Sequence, residues 1–384
     1  MNVVDRIAQL VKEPSVSSVR PEYDQPNERV AALLAGWLED LGFAVRLDAV
    51  QTPHGRGKQN LVASLGRGEG GLVLAGHLDT VPYDPARWQT DPFTLTERDG
   101  ALVGLGVADM KAFFALAVEA ASAFRAGALA RPLVIVGTCD EESGMDGAKA
   151  LAARTDALGP SPRAVVIGEP TALRPVRAHK GVAMERLVLV GRSGHSSDPS
   201  LGINALEGMR TAMDAIAEVR ARLARAWRDE AFRPPVPTIN LGSIRGGDNP
   251  NRICAECELQ FDVRLLPGMD DGAVRSEIRA AVEAALRGSG LAVSLERLHD
   301  AIPAFATPST AALVQSVERL TGAPAEAVPF GTEAPFLAQL APEVVVLGPG
   351  DIEVAHQPGE RLPLARIEPT IRLLRQLVAE HCVP

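Results

Sequence analysis

Apolar residues recur at helical spacing in several parts of the chain. Between Arg29 and Leu41 they are separated by one, three or four residues, at Val30, Leu33, Leu34, Trp37, Leu38 and Leu41. This spacing predicts an amphipathic helix with one buried face. By the same criterion, further helices are predicted at Ala112–Phe124, Asn204–Trp227, Val274–Leu286 and Ile367–Glu380.

Short, nearly continuous apolar runs bounded by turn residues form a second pattern in the first 170 residues. These runs are Leu61–Leu65, Leu72–Ala75, Leu133–Val136 and Ala164–Ile167. Runs of this kind are typical of strands that are buried on both faces of an α/β sheet. The first part of the chain is therefore predicted to be an α/β domain.

The pattern changes near residue 178, where Val182–Val190 alternates like a half-exposed strand. Three more strand patterns follow, at Thr238–Ile244, Ile253–Leu265 and Ala292–Arg297. Together with the predicted helices Asn204–Trp227 and Val274–Leu286, they give a β-α-β-β-α-β order. That order is typical of a ferredoxin-like α+β fold. The helix–strand rhythm returns from about residue 300. We therefore predict a discontinuous α/β domain, residues 1–177 and 300–384, with a smaller α+β domain inserted at 178–299.

Composition narrows the class of function. The 384 residues are 46 % hydrophobic and 23 % charged, as in ordinary globular enzymes. The 39 basic and 48 acidic side chains give a net charge of −9, which argues against general binding to nucleic acid or to an anionic membrane. Four cysteines are too few for a disulfide scaffold, and no secretory signature is visible. We expect a cytoplasmic protein.

Side chains that bind metal ions follow the predicted strands. His77, Glu141, Glu142 and Glu169 each come after an apolar run, where ligands bind in an open α/β sheet. Two further candidates are Asp109, which precedes a predicted helix, and His356, which follows the run Val344–Leu347. Taken singly, each has a structural explanation. Together they form a nitrogen and oxygen ligand set that suits two zinc-like ions.

The motifs around these residues resemble the dinuclear-zinc deacylase and exopeptidase family. They are Gly76–Pro82 (GHLDTVP), Ala108–Lys111 (ADMK) and Gly168–Thr171 (GEPT). Other segments resemble the members that deacetylate N2-acetylornithine: Arg177–Gly181 (RAHKG), Gly194–Pro199 (GHSSDP), Gly246–Cys254 (GGDNPNRIC) and Thr332–Pro335 (TEAP). The resemblance covers almost the whole chain. It implies a zinc-exopeptidase-like catalytic domain and an inserted domain that serves as lid and dimerisation domain.

The resemblance also implies a role for each candidate residue. His77 and Glu169 would hold one divalent ion, Glu142 and His356 a second, and Asp109 would bridge the two. Asp79, two residues after His77, would orient the imidazole, and Glu141 would be the general base. The division between Glu141 and Glu142 suits an extended segment, in which adjacent side chains point apart. His195 would stabilise the oxyanion, possibly from the partner subunit of a homodimer.

The implied substrate is a small N-acyl amino acid, and the implied reaction is deacetylation of N2-acetyl-L-ornithine in arginine biosynthesis. We expect Zn²⁺ as the metal, with Co²⁺ as an alternative. Asn251, Arg252 and Arg264 are candidates for binding the substrate carboxylate, and Glu333 for a cationic side chain. Deacylation of another N-acyl amino acid or of N-succinyl-diaminopimelate stays open. So does a non-catalytic binding protein on the same fold.

Overall fold

A computed structural model of the chain describes residues 1–52, 56–159 and 161–384. The strands are β1 (Ala44–Ala49), β2 (Gln59–Leu65), β3 (Leu72–His77), β4 (Thr96–Arg98), β5 (Ala101–Val103), β6 (Leu133–Thr138), β7 (Ala164–Pro170), β8 (Val176–His179), β9 (Gly181–Val190), β10 (Thr238–Gly246), β11 (Glu256–Leu265), β12 (Ala292–Arg297), β13 (Phe305–Ala306), β14 (Glu326–Val328), β15 (Glu343–Gly348) and β16 (Arg361–Pro363). The α-helices are α1 (Val3–Lys12), α2 (Glu28–Asp40), α3 (Lys111–Ala121), α4 (Asp146–Ala152), α5 (Ala205–Ala226), α6 (Asp271–Ala285), α7 (Ala312–Thr321), α8 (Ala334–Leu337) and α9 (Ile367–Cys382).

The chain divides into two compact units. The first contains Met1–Arg177, Thr307–Glu326 and Thr332–Pro384, and the second contains Ala178–Ala306 and Ala327–Gly331. Two of the short strands, β8 and β14, contain residues at which the chain passes from one unit to the other. The second unit therefore consists of one long insertion and one short return segment.

A mixed sheet forms the centre of the first unit, with strand order β1-β2-β6-β3-β7-β15-β8. The strands β6, β3, β7 and β15 run parallel, whereas β1, β2 and β8 pair antiparallel with their neighbours. All residues of β3, β6 and β7 are buried, as expected for parallel strands covered on both faces. The prediction made from the continuous apolar runs is confirmed.

Helix α3 lies inside the core of the first unit, where it contacts α1, α9 and β3. Its residues are almost all apolar and buried, which is the pattern of a helix packed on all sides. The helix ends at Ala121, three residues before the predicted end at Phe124. Because α3 starts directly after Asp109 and Met110, the packing of this helix fixes the position of a predicted metal ligand.

The second unit has a four-stranded antiparallel sheet in the order β10-β11-β9-β12. Helices α5 and α6 pack against each other, and their apolar residues share one core with the sheet. Strand and helix order together give the predicted ferredoxin-like arrangement. The predicted fold class, an α/β fold with an inserted α+β segment, is thereby confirmed.

Two local expectations were wrong. Strand β11 begins at Glu256 rather than at Ile253, because the Ile253 N–H donates to Gly194 and the Ala255 carbonyl accepts from Gly191 instead of joining the ladder. Glu141 and Glu142 lie in a turn rather than in an extended segment. The turn follows Asp140, which has a left-handed backbone (φ 56°).

Candidate metal centre

The predicted metal ligands of the first unit converge at the carboxyl ends of β3, β6 and β7. His77 is the last residue of β3, and Glu169 is the residue before the end of β7. Each follows a glycine whose missing side chain allows the start of α3 to approach. A Cβ on Gly76 would lie 2.0 Å from Met110, and one on Gly168 would lie 2.1 Å from Phe113. These close contacts place the Asp109 segment beside both strands.

His77 and His356 approach the same carboxylate from two sides. His77 Nε2 lies 3.0 Å from Asp109 Oδ1, and His356 Nε2 lies 3.2 Å from Asp109 Oδ2. His77 Nε2 is also 3.9 Å from Glu169 Oε1, and His356 Nε2 is 3.0 Å from Glu142 Oε1. Asp109 thus lies between two groups of donors, each with one imidazole and one glutamate.

The hydrogen bond on the other side of the His77 ring assigns its tautomer. His77 Nδ1 lies 3.0 Å from the main-chain oxygen of Asp79, and a carbonyl can only accept a hydrogen bond. Nδ1 therefore carries a proton, and in the neutral ring the lone pair of Nε2 faces Asp109 and Glu169. This arrangement needs positive charge between the ring and the carboxylates, either a metal ion or a second proton on the ring: against the effect of burial, the hydrogen bond to Asp109 and the charge of Glu169 raise the pKa of His77 well above its usual range.

The Asp79 carboxylate mainly holds the turn that carries the two glutamates. Its Oδ1 accepts a hydrogen bond from the Glu141 N–H (3.2 Å), and its Oδ2 accepts one from the Glu142 N–H (3.1 Å). Asp79 Oδ1 lies 3.7 Å from His77 Nδ1, beyond hydrogen-bond distance. The ring is thus oriented by the Asp79 main chain, while the side chain positions Glu141 and Glu142.

The electrostatics of the cluster are those of a site built for cations. Burial raises the pKa of Glu169 well above its usual range, and the charge of Asp109 adds to the shift. Burial and the charge of Glu169 likewise raise the pKa of Glu141. Hydrogen bonds to Asp109 and Glu142 raise the pKa of His356 to about 10. Without positive charge among them, these carboxylates repel one another.

The donor set fits a pair of divalent ions. Ligand atoms of His77, Glu141 and Glu169 lie within 4.8 Å of one another, as do those of His77, Asp109 and Glu142. Glu169 Oε1 is buried and has no hydrogen-bond partner among the described residues. Imidazole nitrogen and carboxylate oxygen are ligands that zinc and similar ions accept. The residues present therefore suit the metals that the sequence resemblance implied.

Two buried charged residues support the centre and were missed in the sequence. Lys58 Nζ lies 2.9 Å from Asp24 Oδ1 and 2.7 Å from Asp140 Oδ1. Asp140 is the residue directly before the Glu141–Glu142 turn. Glu360 accepts hydrogen bonds from main-chain N–H groups next to Asp109. A lone lysine before a buried strand and a glutamate four residues after His356 are the only signals that the sequence offered.

Glu333, the predicted partner of a cationic substrate side chain, is also in the first unit, and it is fully buried. Its Oε2 accepts a hydrogen bond from Thr138 Oγ1 at 2.7 Å, at the end of β6. Its Oε1 has no hydrogen-bond partner within the described parts of the chain. Burial raises the pKa of Glu333 to about 7, against the opposing effect of the Thr138 hydrogen bond.

The second unit brings together three other predicted site residues. His195 and Arg252 form a β-bridge, and the Ser196 N–H donates to the Asn251 carbonyl at 3.2 Å. The Arg252 guanidinium is exposed and lies 2.6 Å from Asp248 Oδ2. Arg264 is not part of this group: it lies near the far end of β11 and is paired with Asp262 at 2.9 Å.

Comparison with known proteins identifies the family. The sequence profile described as peptidase family M20/M25/M40 matches residues 73–380, most of the chain. The chain belongs to this M20 family. It is 47 % identical over 373 residues to an acetylornithine deacetylase of Pasteurella multocida, covering 97 % of this chain and 96 % of the relative.

Solved structures agree with the M20 assignment at the level of the fold. An aminopeptidase PepT from Bacillus cereus matches with a TM-score of 0.78 at 21 % identity, over 98 % of this chain and 97 % of that one. An M20 metallo-carboxypeptidase from Sulfolobus solfataricus matches with a TM-score of 0.75 at 16 % identity, over 98 % of both chains. The family resemblance drawn from the sequence motifs is confirmed.

Proposed function

We propose that this protein is a metal-dependent amidohydrolase that deacetylates N2-acetyl-L-ornithine to L-ornithine and acetate, a step of arginine biosynthesis. The substrate assignment is supported by the 47 % identity, over nearly the full length of both chains, to a protein named acetylornithine deacetylase. The cluster around Asp109 supports the metal dependence. Zn²⁺ is the proposed ion, and Co²⁺ is a second ion that the same ligands accept.

In the proposed site, His77 and Glu169 would hold one ion, Glu142 and His356 would hold the other, and Asp109 would be a ligand of both. When bound, such ions lower the pKa of a water molecule and polarise the amide carbonyl. Glu141 removes the proton from the attacking water and delivers it to the leaving amine. Its carboxylate suits this task because it accepts no hydrogen bond from the described residues and its environment raises its proton affinity.

His195 is proposed to stabilise the oxyanion, and its hydrogen bonds support this role. The Ser197 N–H points to His195 Nδ1 at 3.2 Å, and a backbone N–H can only donate. Nδ1 is therefore an acceptor, and the proton of the neutral ring is on Nε2. The exposed Nε2–H is a donor for the developing negative charge of a tetrahedral intermediate.

The remaining predicted residues are proposed as substrate contacts. Asn251, Arg252 and Arg264 are candidates for the α-carboxylate, for which a guanidinium is the best-matched partner. Contact between Glu333 and the substrate amine would require residues around the buried carboxylate to move. The division into catalytic parts (1–177 and 300–384) and an inserted lid domain (178–299) is part of this proposal. The predicted cytoplasmic location stays a prediction; among the described helices, none has the length and apolar content needed to span a membrane.

A homodimer is also proposed, formed through the inserted domain. Strand β10 is an edge of its sheet, and its second half is exposed. Ile244 on this strand is 51 % exposed, and Leu206 at the start of α5 is 42 % exposed. An edge strand with exposed apolar residues is a surface that a second chain can extend. Ile244→Lys should therefore give a monomer in light scattering, whereas the control Ile352→Lys, at a similarly exposed residue of the first unit, should not.

The test of the activity is amine release from N2-acetyl-L-ornithine, run beside N-succinyl-diaminopimelate and N-acetylmethionine. We expect the fastest turnover on acetylornithine, loss of activity with a chelator, and recovery with zinc or cobalt. Preference for another substrate would keep the metal centre and change the substrate assignment. No hydrolysis of any of the three after metal addition would favour a binding protein on this fold.

A further inference from the structure

Glu360 has a hydrogen-bonding environment that is unusual for a buried acid. Its Oε1 accepts hydrogen bonds from the N–H groups of Ala108 (2.7 Å) and Asp109 (2.9 Å), and its Oε2 accepts one from Gly106 (3.0 Å). The residue is 2 % exposed. Both carboxylate oxygens are therefore used by the main chain that carries Asp109, and Glu360 is not itself a free metal ligand.

The main chain of Glu360 joins the same two segments. Its carbonyl accepts a hydrogen bond from the Gly104 N–H at 3.1 Å, and its own N–H donates to Gln357 at 3.1 Å. The next residues form β16, which pairs antiparallel with β5, directly before Gly104. His356 precedes Glu360 by only four residues and has a left-handed backbone (φ 59°). One glutamate thus connects the segment that carries Asp109 with the segment that carries His356.

Structural stability alone does not account for an acid at this position. Among the described residues Glu360 forms no salt bridge; the buried ammonium of Lys111 interacts with it electrostatically but donates its hydrogen bond to the Glu13 carbonyl. Burial of a carboxylate without a salt bridge is unfavourable: burial and the charge of Asp109 raise the pKa of Glu360 to about 7, and the three N–H donors offset this only in part. A buried acid that is hydrogen-bonded to the segment of Asp109 and lies four residues from His356 indicates a role in fixing the distance between these two residues.

We propose that Glu360 is a positioning residue for the metal centre, which holds Asp109 and His356 at the spacing that lets both contact one ion. This inference rests on the metal-dependent function proposed above. Partners that orient metal ligands typically contribute about 10- to 100-fold to metal affinity, and we expect an effect of that order here.

The experiment measures metal binding by calorimetry, together with the absorption spectrum of the Co²⁺-loaded protein. The variant is Glu360→Gln, which keeps the size of the side chain but replaces one acceptor by a donor that faces main-chain N–H groups. We expect its dissociation constant for Zn²⁺ to rise about 10- to 100-fold and its Co²⁺ bands to shift. At saturating metal, kcat should fall while KM stays within about twofold.

Glu185→Gln is the matched control. Glu185 is equally buried, at 1 % exposure, but it lies in the second unit and pairs with Arg275 Nε at 2.9 Å. We expect this control to lower the melting temperature without changing the Zn²⁺ affinity or the Co²⁺ spectrum. A shift of the same size in both variants would mean that Glu360 has only a general structural role.

Other results separate the inference from the function on which it rests. If the unchanged protein binds no metal, the proposed metal centre is wrong. If the unchanged protein binds two ions and Glu360→Gln binds them within threefold of its affinity, only the Glu360 inference is overturned. Glu360→Asp provides the measurement if the glutamine variant does not fold, because its shorter carboxylate cannot reach all three N–H groups. If neither variant folds, Glu360 is a folding residue and the inference is overturned.

Discussion

Replacing Glu141 by glutamine tests the proposed mechanism most directly. The Glu141 carboxylate accepts no hydrogen bond from the described residues, and its position comes from its backbone N–H, which donates to Asp79. Glutamine keeps that backbone contact and removes one charge from a crowded acidic cluster. Since burial and the charge of Glu169 raise the pKa of Glu141, the neutral side chain should not destabilise the fold. We expect the free energy of unfolding to stay within about 0.5 kcal/mol or to increase.

The effect on catalysis should be much larger. A positioned general base contributes about 10²- to 10⁴-fold, which at about 1.36 kcal/mol per tenfold is about 2.7 to 5.4 kcal/mol of the activation barrier. Because the fold should keep its stability, a decrease of that size must come from the lost proton transfer. The assay is steady-state amine release from N2-acetyl-L-ornithine at saturating zinc, together with the bound metal counted by mass spectrometry.

Glu142→Gln is the control, since it is the same substitution at the adjacent residue. The Glu142 carboxylate lies 3.0 Å from His356 Nε2, so this variant should lose bound metal, whereas Glu141→Gln should keep it. Turnover of Glu141→Gln within tenfold of the unchanged protein would refute its role as the base. Loss of metal from Glu141→Gln would instead make Glu141 a metal ligand, a role that its closeness to His77 and Glu169 allows.

Three further predictions concern other parts of the molecule. His195→Ala should lower kcat far more than it raises KM and should leave metal binding unchanged; a change in KM alone would make His195 a binding residue. Lys58→Met leaves Asp24 and Asp140 without their buried partner, and urea denaturation should show a loss of about 3–5 kcal/mol, with a loss below about 1 kcal/mol contradicting the role of this network. In the metal-free protein, burial raises the pKa of Glu333 in the folded state to about 7. Between about pH 4.5 and pH 7 the folded state therefore binds more protons than the unfolded state, and the stability that this group contributes falls as the pH rises through that range. Denaturation curves at pH 5 and pH 8 should show a smaller loss of unfolding free energy for Glu333→Gln than for the unchanged protein. An equal loss in both proteins would mean that other groups cause it.

The parts of the fold that could be predicted from the sequence are those set by burial. Strands covered on both faces must be apolar throughout, so the runs at Leu72–Ala75 and Leu133–Val136 were visible without a structure. The residues at the ends of such strands were visible too: each alone has a structural explanation, but together they form a metal-ligand set. His77 and Glu169 were therefore recognised as candidates from the sequence alone.

The arrangement that supports these residues could not be predicted. The contact between Glu360 and Asp109 joins residues 251 positions apart, and no local pattern indicates it. The turn at Glu141 depends on a left-handed backbone at Asp140, where the sequence has no glycine to signal it. In the sequence Lys58 resembles an ordinary surface lysine, and only its buried ion pairs with Asp24 and Asp140 show otherwise.

The position of β15 in the central sheet has a consequence for how the chain is made. This strand pairs with β7 over Glu343–Val346 and Ala164–Ile167, so the two partners are separated by about 180 residues of intervening chain. While the ribosome is still synthesising that interval, one side of β7 has no neighbour, and its apolar residues and open backbone groups are available to other nascent chains. A protein truncated before Glu343 would keep this edge open permanently and would lack His356. We therefore expect it to aggregate rather than to persist as a folded, metal-free fragment.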